Sequence, residues 1–479
     1  MTPLESMVTS AMAADQNTTV AVVMVPLPLH GHLNQLLHLS RLISAYNFPV
    51  HFVCTTTHGR QAKLRLQGWN PHAINFRHFP IPPFSSPPPN HHNSTNHFPS
   101  HLQPLCEATT QYLHQPVALL LRKLSATTRR LVVIHDSLMG SVVQDFVSLP
   151  NAESYTFHSV SAFSIALFTS NNNKVGQQIQ ELVEPHALTK DLLSFEGCFT
   201  SEFKKFIAVQ HEFTKLSSGR IYNTCRIIEQ PILDLLATDV INRKKLLWAL
   251  GPFNPVEIKP TTALYGGPVD RCLEWLHKQA SKTVIFVSFG TTTSFSQEQI
   301  LEIAIGLEKS NHKFMWVVRD ADKGDMLRDD LKRVELPDGY EDRVKDRGLV
   351  VREWAPQLQI LAHPAIGGFM SHCGWNSCVE SMSMGVPIAA WPMHSDQPNN
   401  AVLLTEILKL GLMVKEWCRR EEVVAAAAVD TAVRRLMGSK EGQEMRKRAV
   451  AMGRRVRKSV KDGGAIQMEL ESFITHITR

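Results

Sequence analysis

Residues 366–380 read IGGFMSHCGWNSCVE, and the way this run folds decides the reading of the whole chain. Ile366–Ser371 is short and apolar, the pattern of a strand buried on both faces. Gly374 supplies a turn, and the first turn of the helix that follows holds Asn376 and Ser377. A strand that passes through a glycine turn into a helix leaves the first helical N–H groups unpaired at the strand's carboxyl end. Those groups carry partial positive charge and suit phosphate oxygens. Asn376, Ser377 and His372 add side-chain donors, the histidine a cation when protonated. A plainer reading makes Ser377-x-x-Glu380 a capping box, which accounts for two residues but leaves His372 and Trp375 unexplained. Cys373 and Cys378 lie beside His372 without a second metal-ligating pair, which argues against zinc.

The same alternation of strand and helix extends in both directions. In the first half, strands are predicted at Val20–Pro26, Val50–Thr55 and Leu131–Ile134, with a helix over about 34–45. In the second half, strands are predicted at Thr283–Phe289, Lys313–Arg319, Leu349–Trp354 and Val386–Trp391. A helix over Gln297–Lys309 is capped by Ser296 and Gln299. Between the halves, Gly251–Asp270 is rich in Pro and Gly and reads as a linker. Short apolar strands between helices predict parallel sheets covered on both faces. The expected fold is therefore α/β, with two doubly wound Rossmann-like domains facing across a cleft. The boundaries are 1–250, a linker over 251–270, 271–460, and a C-terminal helix in 461–479 packing back on the first domain. Ligands of such sheets sit beyond the carboxyl ends of the strands, so the cleft is the expected active site.

Two further strand ends point the same way. Trp354-Ala355-Pro356-Gln357 offers an aromatic face for a flat base, with Gln357 in reach of ribose hydroxyls. Asp396 and Gln397, after the Val386–Trp391 strand, offer acceptors and donors for adjacent sugar hydroxyls. Neither GxGxxG nor GxxxxGK[ST] occurs, so the dinucleotide fingerprint and the P-loop are both missing.

Composition narrows the class. The chain has 479 residues, 43% hydrophobic and 20% charged, with 50 Lys and Arg against 44 Asp and Glu for a net +6. That describes a globular protein rather than a disordered one. Arg434–Lys461 alone carries +9, which leaves the remainder at −3. The basic excess thus reads as one solvated helical face, and no nucleic-acid partner is expected. No stretch is long and apolar enough for a membrane span, and the first residues do not resemble a signal peptide. Eight scattered cysteines without a CxxC pair read as reduced core thiols. A cytoplasmic monomer without stable membrane insertion is expected. Phe79–His101, rich in Pro, His, Ser and Asn, reads as a long surface loop with solvated histidines. The Asn93 sequon is discounted for a chain that stays inside the cell.

Trp354–Gln397 carries W-x-P-Q, H-x-G-W-N-S, a glutamate, two prolines and D-Q in one 44-residue box. The box resembles the signature of plant family 1 UDP-glycosyltransferases. Gly251–Pro255, Cys272–Leu276 and the SFG-Thr291 turn are similar to that family too. His30–Ile43 and His135–Asp145 are most similar to its zeatin O-glucosyltransferase branch. The resemblance implies a GT-B fold, with the acceptor read by the first domain and the UDP-sugar by the second. It implies that Trp354 stacks on uracil and Ala355 binds its edge through the backbone, while Gln357 and Glu380 hold the ribose. His372, Asn376, Ser377 and Thr291 would bind the diphosphate, and Trp375, Asp396 and Gln397 would orient the sugar. A closing Gln accompanies glucose donors more often than galactose donors, and xylose users occur near this branch. His32 matches the family's catalytic base and Asp136 its partner, while Ser159 falls where a Thr or Ser lies near the sugar.

The resemblance implies an inverting transfer of glucose from UDP-glucose, a co-substrate rather than a cofactor, to a hydroxyl of a small hydrophobic plant acceptor. Zeatin-type cytokinins are favoured, with flavonoids, other phenolics, terpenoids and C-glycosylation left open. No metal is expected, because a helix terminus and side chains would take the diphosphate charge. A nonenzymatic sugar-nucleotide binder would be expected to lack His32 or Asp136, and both are present. A hydrolase would need two closely placed carboxylates, which the sequence does not reveal.

Overall fold

Among the described residues of the computed structural model, thirteen strands, every pair of neighbours parallel, form two sheets. It describes residues 19–64, 74–87, 98–169, 179, 195–238, 245–258, 270–292, 294–319 and 335–479. The first sheet contains β1 (Val20–Val25), β2 (Val50–Thr55), β3 (Ile74–Phe79), β4 (Arg130–Asp136), β5 (Ala152–His158), β6 (Gly219–Tyr222) and β7 (Leu246–Ala249), in the order β3-β2-β1-β4-β5-β6-β7. The second contains β8 (Val284–Ser288), β9 (Lys313–Val317), β10 (Gly348–Val351), β11 (Ile366–Ser371), β12 (Ile388–Ala390) and β13 (Gly411–Met413), in the order β10-β9-β8-β11-β12-β13. Every residue of β1, β2, β8 and β11 is buried. Their largely apolar sequences follow from helices covering both faces.

The helices that position the site are α1 (His30–Ser44), α2 (Ser201–Thr214), α3 (Gln297–Ser310), α4 (Gln357–Ala362), α5 (Trp375–Met384), α6 (Lys440–Ser459) and α7 (Ala465–Thr478). Several boundaries differ from the sequence reading, each for a local reason. Helix α1 starts at His30, earlier than expected, because Leu29 already has the extended N-cap conformation and its carbonyl takes the His32 N–H at 3.0 Å. Strand β4 runs on to Asp136, so the aspartate ends the strand instead of following it. Strand β10 stops at Val351, ahead of exposed Arg352, Glu353 and Trp354. Strand β12 starts only after Pro387, which lacks the N–H that a ladder requires. At α3, Ser296 Oγ accepts the Gln299 N–H at 3.2 Å, but the Gln299 amide is spent on the Val424 backbone. Only half of the expected capping box forms.

Helix α7 lies against the first sheet. Leu470, Phe473, Ile474 and Ile477 share a core with β1, β2 and β4 residues, and the Phe473 ring centroid lies 5.1 Å from Trp248 and 5.4 Å from Tyr155. Arg129 and Arg130 donate to the carbonyls of Thr478 and Arg479 at 2.8–3.2 Å. The basic stretch before it is less solvated than its charge predicts. Arg446 donates to the Gly367 carbonyl at 3.1 Å, Arg448 to Lys409 at 2.7 Å, and Arg457 to Ser383. These arginines satisfy carbonyls left over at strand and helix ends, and so dock α6 on the second domain.

Two further expectations change. His101 is buried, not solvated, and its carbonyl accepts the Ser86 hydroxyl. His91, His92, Asn93 and His97 lie outside the described residues, as does 259–269 of the linker. Seven cysteines are buried free thiols, while Cys418 is exposed. No helix among the described residues is long and apolar enough to cross a membrane.

Strand order reverses between β1 and β4 in one sheet and between β8 and β11 in the other. At such a point the two following loops turn to opposite faces and leave a crevice beyond the carboxyl ends. His32 and Asp136 follow or end β1 and β4, and Thr291 and His372 follow β8 and β11. The candidate site is therefore built from two switch points.

Candidate active site

At the first switch point, His32 Nδ1 lies 2.7 Å from Asp136 Oδ2. Asp136 is fully buried, and its other oxygen accepts the Leu138 N–H at 2.9 Å. An ionised carboxylate can only accept, so the ring proton sits on Nδ1 and Nε2 is left as the acceptor. Burial works to lower the His32 pKa. The charge and hydrogen bond of Asp136, with a smaller effect of Asp396, outweigh it and leave the pKa above the usual 6.5. Ser159 Oγ lies 2.9 Å from the same Nδ1. It therefore contacts the histidine, a place the sequence did not reveal.

At the second switch point, β11 ends at Ser371, and Gly374 caps α5 with no side-chain hydrogen bond. Ser377 and Glu380 do not form a capping box. Instead Gln357 Nε2 donates to Ser377 Oγ at 3.0 Å and to Glu380 Oε2 at 2.8 Å. The helix start is thus left open, as an anion site requires. Two glycines flank His372: an added Cβ would lie 2.7 Å from its Nε2 at Gly290 and 2.5 Å at Gly374. Gly290 has φ +79°, which L side chains rarely adopt. Burial pushes the His372 pKa down to about 4, and its Nδ1 is buried without a partner among the described residues. The imidazole is thereby left as a neutral hydrogen-bonding group near pH 7, so of the two forms the sequence allowed it is the uncharged one.

The two halves touch. Asn376 Nδ2 donates to the Gly31 carbonyl at 2.8 Å, and the Trp375 indole donates to the Asn223 carbonyl at 2.9 Å. Trp375 is buried and is anchored to the opposite domain. Asp396 accepts from Asn400 Nδ2 at 2.7 Å, and burial raises its pKa against that bond and against His32. Gln397 Oε1 accepts the N–H groups of Met393 and His394 at 2.9 and 3.2 Å. Half of its amide therefore shapes its own loop.

One cleft of about 1240 Å³, measured out to its open mouth, is lined by His32, Ser159, His372, Trp375, Asn376, Ser377, Asp396 and Gln397. Asp136 stands directly behind His32. Trp354, Ala355, Gln357 and Glu380 lie on an adjoining ledge, joined to the cleft through the Gln357–Ser377 bond. The Trp354 ring is 56% exposed, and the Arg319 guanidinium lies 5.9 Å from its centroid. Glu380 is pushed up to about 7 by burial, which the Gln357 amide opposes. Thr291 lies in the turn after β8, and its neighbour Thr292 lines the cleft, with Oγ1 3.1 Å from His394 Nε2. Nothing in the sequence separated these adjacent threonines.

The far wall of the cleft is apolar. Phe98, Leu102, Leu138, Ile165, Phe168, Phe199, Phe203 and Ile207 line it. Phe98 and Phe203 ring centroids lie 4.9 Å apart. Phe98 comes from the Phe79–His101 segment and Ile165, Phe168, Phe199, Phe203 and Ile207 from 157–210, while Leu102 and Leu138 lie outside both; 170–178 and 180–194 lie outside the described residues. Such a wall excludes water and receives a flat or hydrophobic molecule. Among the described residues, no three His, Cys, Asp or Glu are grouped to hold a metal ion.

Two doubly wound domains with a histidine–carboxylate pair facing an uncapped helix start define a two-domain glycosyltransferase architecture, the GT-B fold. Residues 18–255 match the family described as glycosyltransferase, N-terminal domain, and residues 261–441 match that described as UDP-glucoronosyl and UDP-glucosyl transferase. The chain is 52% identical over 467 residues to the zeatin O-glucosyltransferase of Phaseolus lunatus, covering 96% of this chain and 98% of the relative. It is 48% identical over 472 residues to the zeatin O-xylosyltransferase of Phaseolus vulgaris, covering 98% and 100%. Phytolacca americana UGT2, solved with UDP-2-fluoro-glucose and pterostilbene, superimposes with a TM-score of 0.76 at 26% identity, covering 96% of this chain and 99% of that one. The chain belongs to the UDP-glycosyltransferase family and is a UDP-glycosyltransferase.

Proposed function

We propose that this enzyme transfers glucose from UDP-glucose, with inversion, to the side-chain hydroxyl of a zeatin-type cytokinin. The observation that carries the mechanism is the His32–Asp136 pair, 2.7 Å apart, set against the uncapped start of α5. His32 Nε2 accepts the acceptor's hydroxyl proton as its oxygen attacks the anomeric carbon. Asp136 holds the tautomer and stabilises the imidazolium that forms. The bond from the anomeric carbon to the phosphate oxygen breaks, and its electron pair leaves with UDP. Attack opposite to UDP turns the α-linked donor into a β-glucoside.

Charge growing on UDP meets the α5 N–H groups and the side chains of His372, Asn376 and Ser377. Neutral His372 contributes a hydrogen bond rather than a full charge. Trp354 and Ala355 take the uracil, Gln357 and Glu380 the ribose, and Trp375, Asp396 and Gln397 orient the sugar, with the Trp375 indole anchoring the start of α5 to the first domain. Thr291, in the turn after β8, belongs to this set, and its neighbour Thr292 lines the cleft beside it. Ser159 acts on the histidine.

The acceptor rests on the relatives and on the apolar wall. The relatives cited above are zeatin enzymes, one using glucose and one xylose. The deciding assay offers zeatins, flavonoids and terpenoids with UDP-glucose, UDP-xylose and UDP-galactose. Zeatin O-glucoside is the expected main product. Turnover of flavonoids with none of zeatin would overturn the acceptor, and preferential xylosylation would overturn the sugar.

A further inference from the structure

The hydrogen bonds around Gln35 join the base to the donor helix, although no motif drew attention to this residue. Gln35 is on the first helix, α1, and is 3% exposed. Its Nε2 donates to the Gly31 carbonyl at 3.1 Å and to the Ser159 carbonyl at 2.8 Å. Its Oε1 accepts from Asn223 Nδ2 at 3.0 Å. Asn223, 3% exposed in the loop after β6, accepts the Phe253 N–H at 2.9 Å through its own Oδ1. One amide therefore ties together the base helix, the loops after β5 and β6, and the start of the interdomain linker.

The donor helix grips this cluster at two points. Asn376 Nδ2 donates to Gly31 O, the carbonyl that Gln35 already holds, and the Trp375 indole donates to Asn223 O. On the other side, the residue whose carbonyl Gln35 holds places its hydroxyl 2.9 Å from His32 Nδ1. Every polar group of the Gln35 side chain is used. A satisfied buried network of this kind has one low-energy arrangement, because any rotation strands a donor or acceptor away from water.

We propose that Gln35, seconded by Asn223, is a positioning residue that couples docking of the donor helix to the orientation of the His32 base. It touches no reacting atom. It fixes the direction of two carbonyls, so that Asn376 and Trp375 close on the same frame that aims Ser159 at the histidine. This inference rests on the reading of His32 as the base.

The test is Gln35→Met, which keeps length and volume but can neither donate to the two carbonyls nor accept from Asn223. Turnover with UDP-glucose and zeatin should fall on the order of 10- to 100-fold in kcat, the scale of a misplaced catalytic group. The KM for UDP-glucose should stay within about threefold, and UDP affinity by calorimetry should be likewise retained, because the donor contacts themselves are intact. A double-mutant cycle with Asn376→Ala supplies the reading that a purely structural role would not move. The losses in kcat should be strongly non-additive, since both side chains act on one carbonyl. Wild-type kcat in a folded Gln35→Met enzyme, or additive losses in the cycle, would overturn the proposal. If that variant does not fold, Asn223→Ala is read the same way, because it cuts the next link. If His32→Ala retains turnover, the base assignment has failed; if His32→Ala is dead while Gln35→Met is normal, only the coupling has failed.

Discussion

Asp136→Asn tests the arrangement around His32 most directly. Asp136 Oδ1 accepts the buried Leu138 N–H at 2.9 Å, while Oδ2 faces His32 Nδ1 at 2.7 Å. In the variant the Leu138 N–H selects which end of the asparagine amide it meets. The amide oxygen must take that donor, because leaving it unpaired costs about 1–3 kcal/mol. The amide NH2 is thereby turned toward His32. An NH2 group facing Nδ1 demands a lone pair there, so the ring proton moves to Nε2, and the base loses its acceptor. The wrong tautomer in a comparable pair costs on the order of 10⁴ in kcat, or roughly 5 kcal/mol of barrier.

Asp136→Ala should do better than Asp136→Asn. It forces no tautomer and leaves Ser159 Oγ, 2.9 Å from Nδ1, as an acceptor. Its cost falls instead on stability through the orphaned Leu138 N–H. The carboxylate raises the His32 pKa against burial. Losing it lets burial dominate, so the acidic limb of the residual activity should move to lower pH in both variants. Steady-state turnover, measured as UDP released and glucoside formed from pH 5 to 9, reads all of this, with UDP calorimetry as a control for an intact donor domain. An asparagine variant within about tenfold of wild type, or one better than the alanine variant, would refute the tautomer argument.

Glu380 sits at about 7 because it is buried. Ribose hydroxyls donate more strongly to the carboxylate than to the acid, so donor binding should release a proton and weaken as pH falls below about 7. Calorimetry of UDP in buffers of different ionisation enthalpy checks this, and Glu380→Gln should flatten the dependence. Gly374→Ala should raise the donor KM at least tenfold, since its Cβ would lie 2.5 Å from His372 Nε2 and displace the ring. A normal KM would show that the ring has room to move. Phe473→Ala should lower stability by about 3–5 kcal/mol, as for other buried phenylalanines. Chemical denaturation should show that loss, with the transition of the first domain moving most because Phe473 packs on Trp248 and Tyr155.

Much of this protein is legible along the chain. The strand, glycine turn and helix at 366–380 are local, because burial pattern and turn chemistry act over a few residues. That is why β11 has the expected bounds, and why Asn376 and Ser377 lie at a helix start. The early start of α1 is local, set by the extended Leu29. Other expectations failed where a distant residue intervened: Val424 takes the Gln299 side chain, and α6 arginines seek carbonyls of distant segments. The protonation of His372 was also out of reach, since its pKa is set by burial rather than by its neighbours in sequence.

The chain itself determined the class of fold, the box from Trp354 to Gln397, and the identities of His32 and Asp136. The fold class and the box depend on residue type and short spacing, while His32 and Asp136 are singled out by what the resemblance to the family implies. Only the tertiary structure brought these residues together around one cleft. His32 and Asp136 meet because β1 and β4 are neighbours at the reversal of strand order, 104 positions apart in sequence. Gln35, Asn223 and Thr292 gained their places in the same way. A buried amide or hydroxyl has no characteristic neighbour in sequence, and its partners are whichever carbonyls and donors the two sheets bring to the cleft.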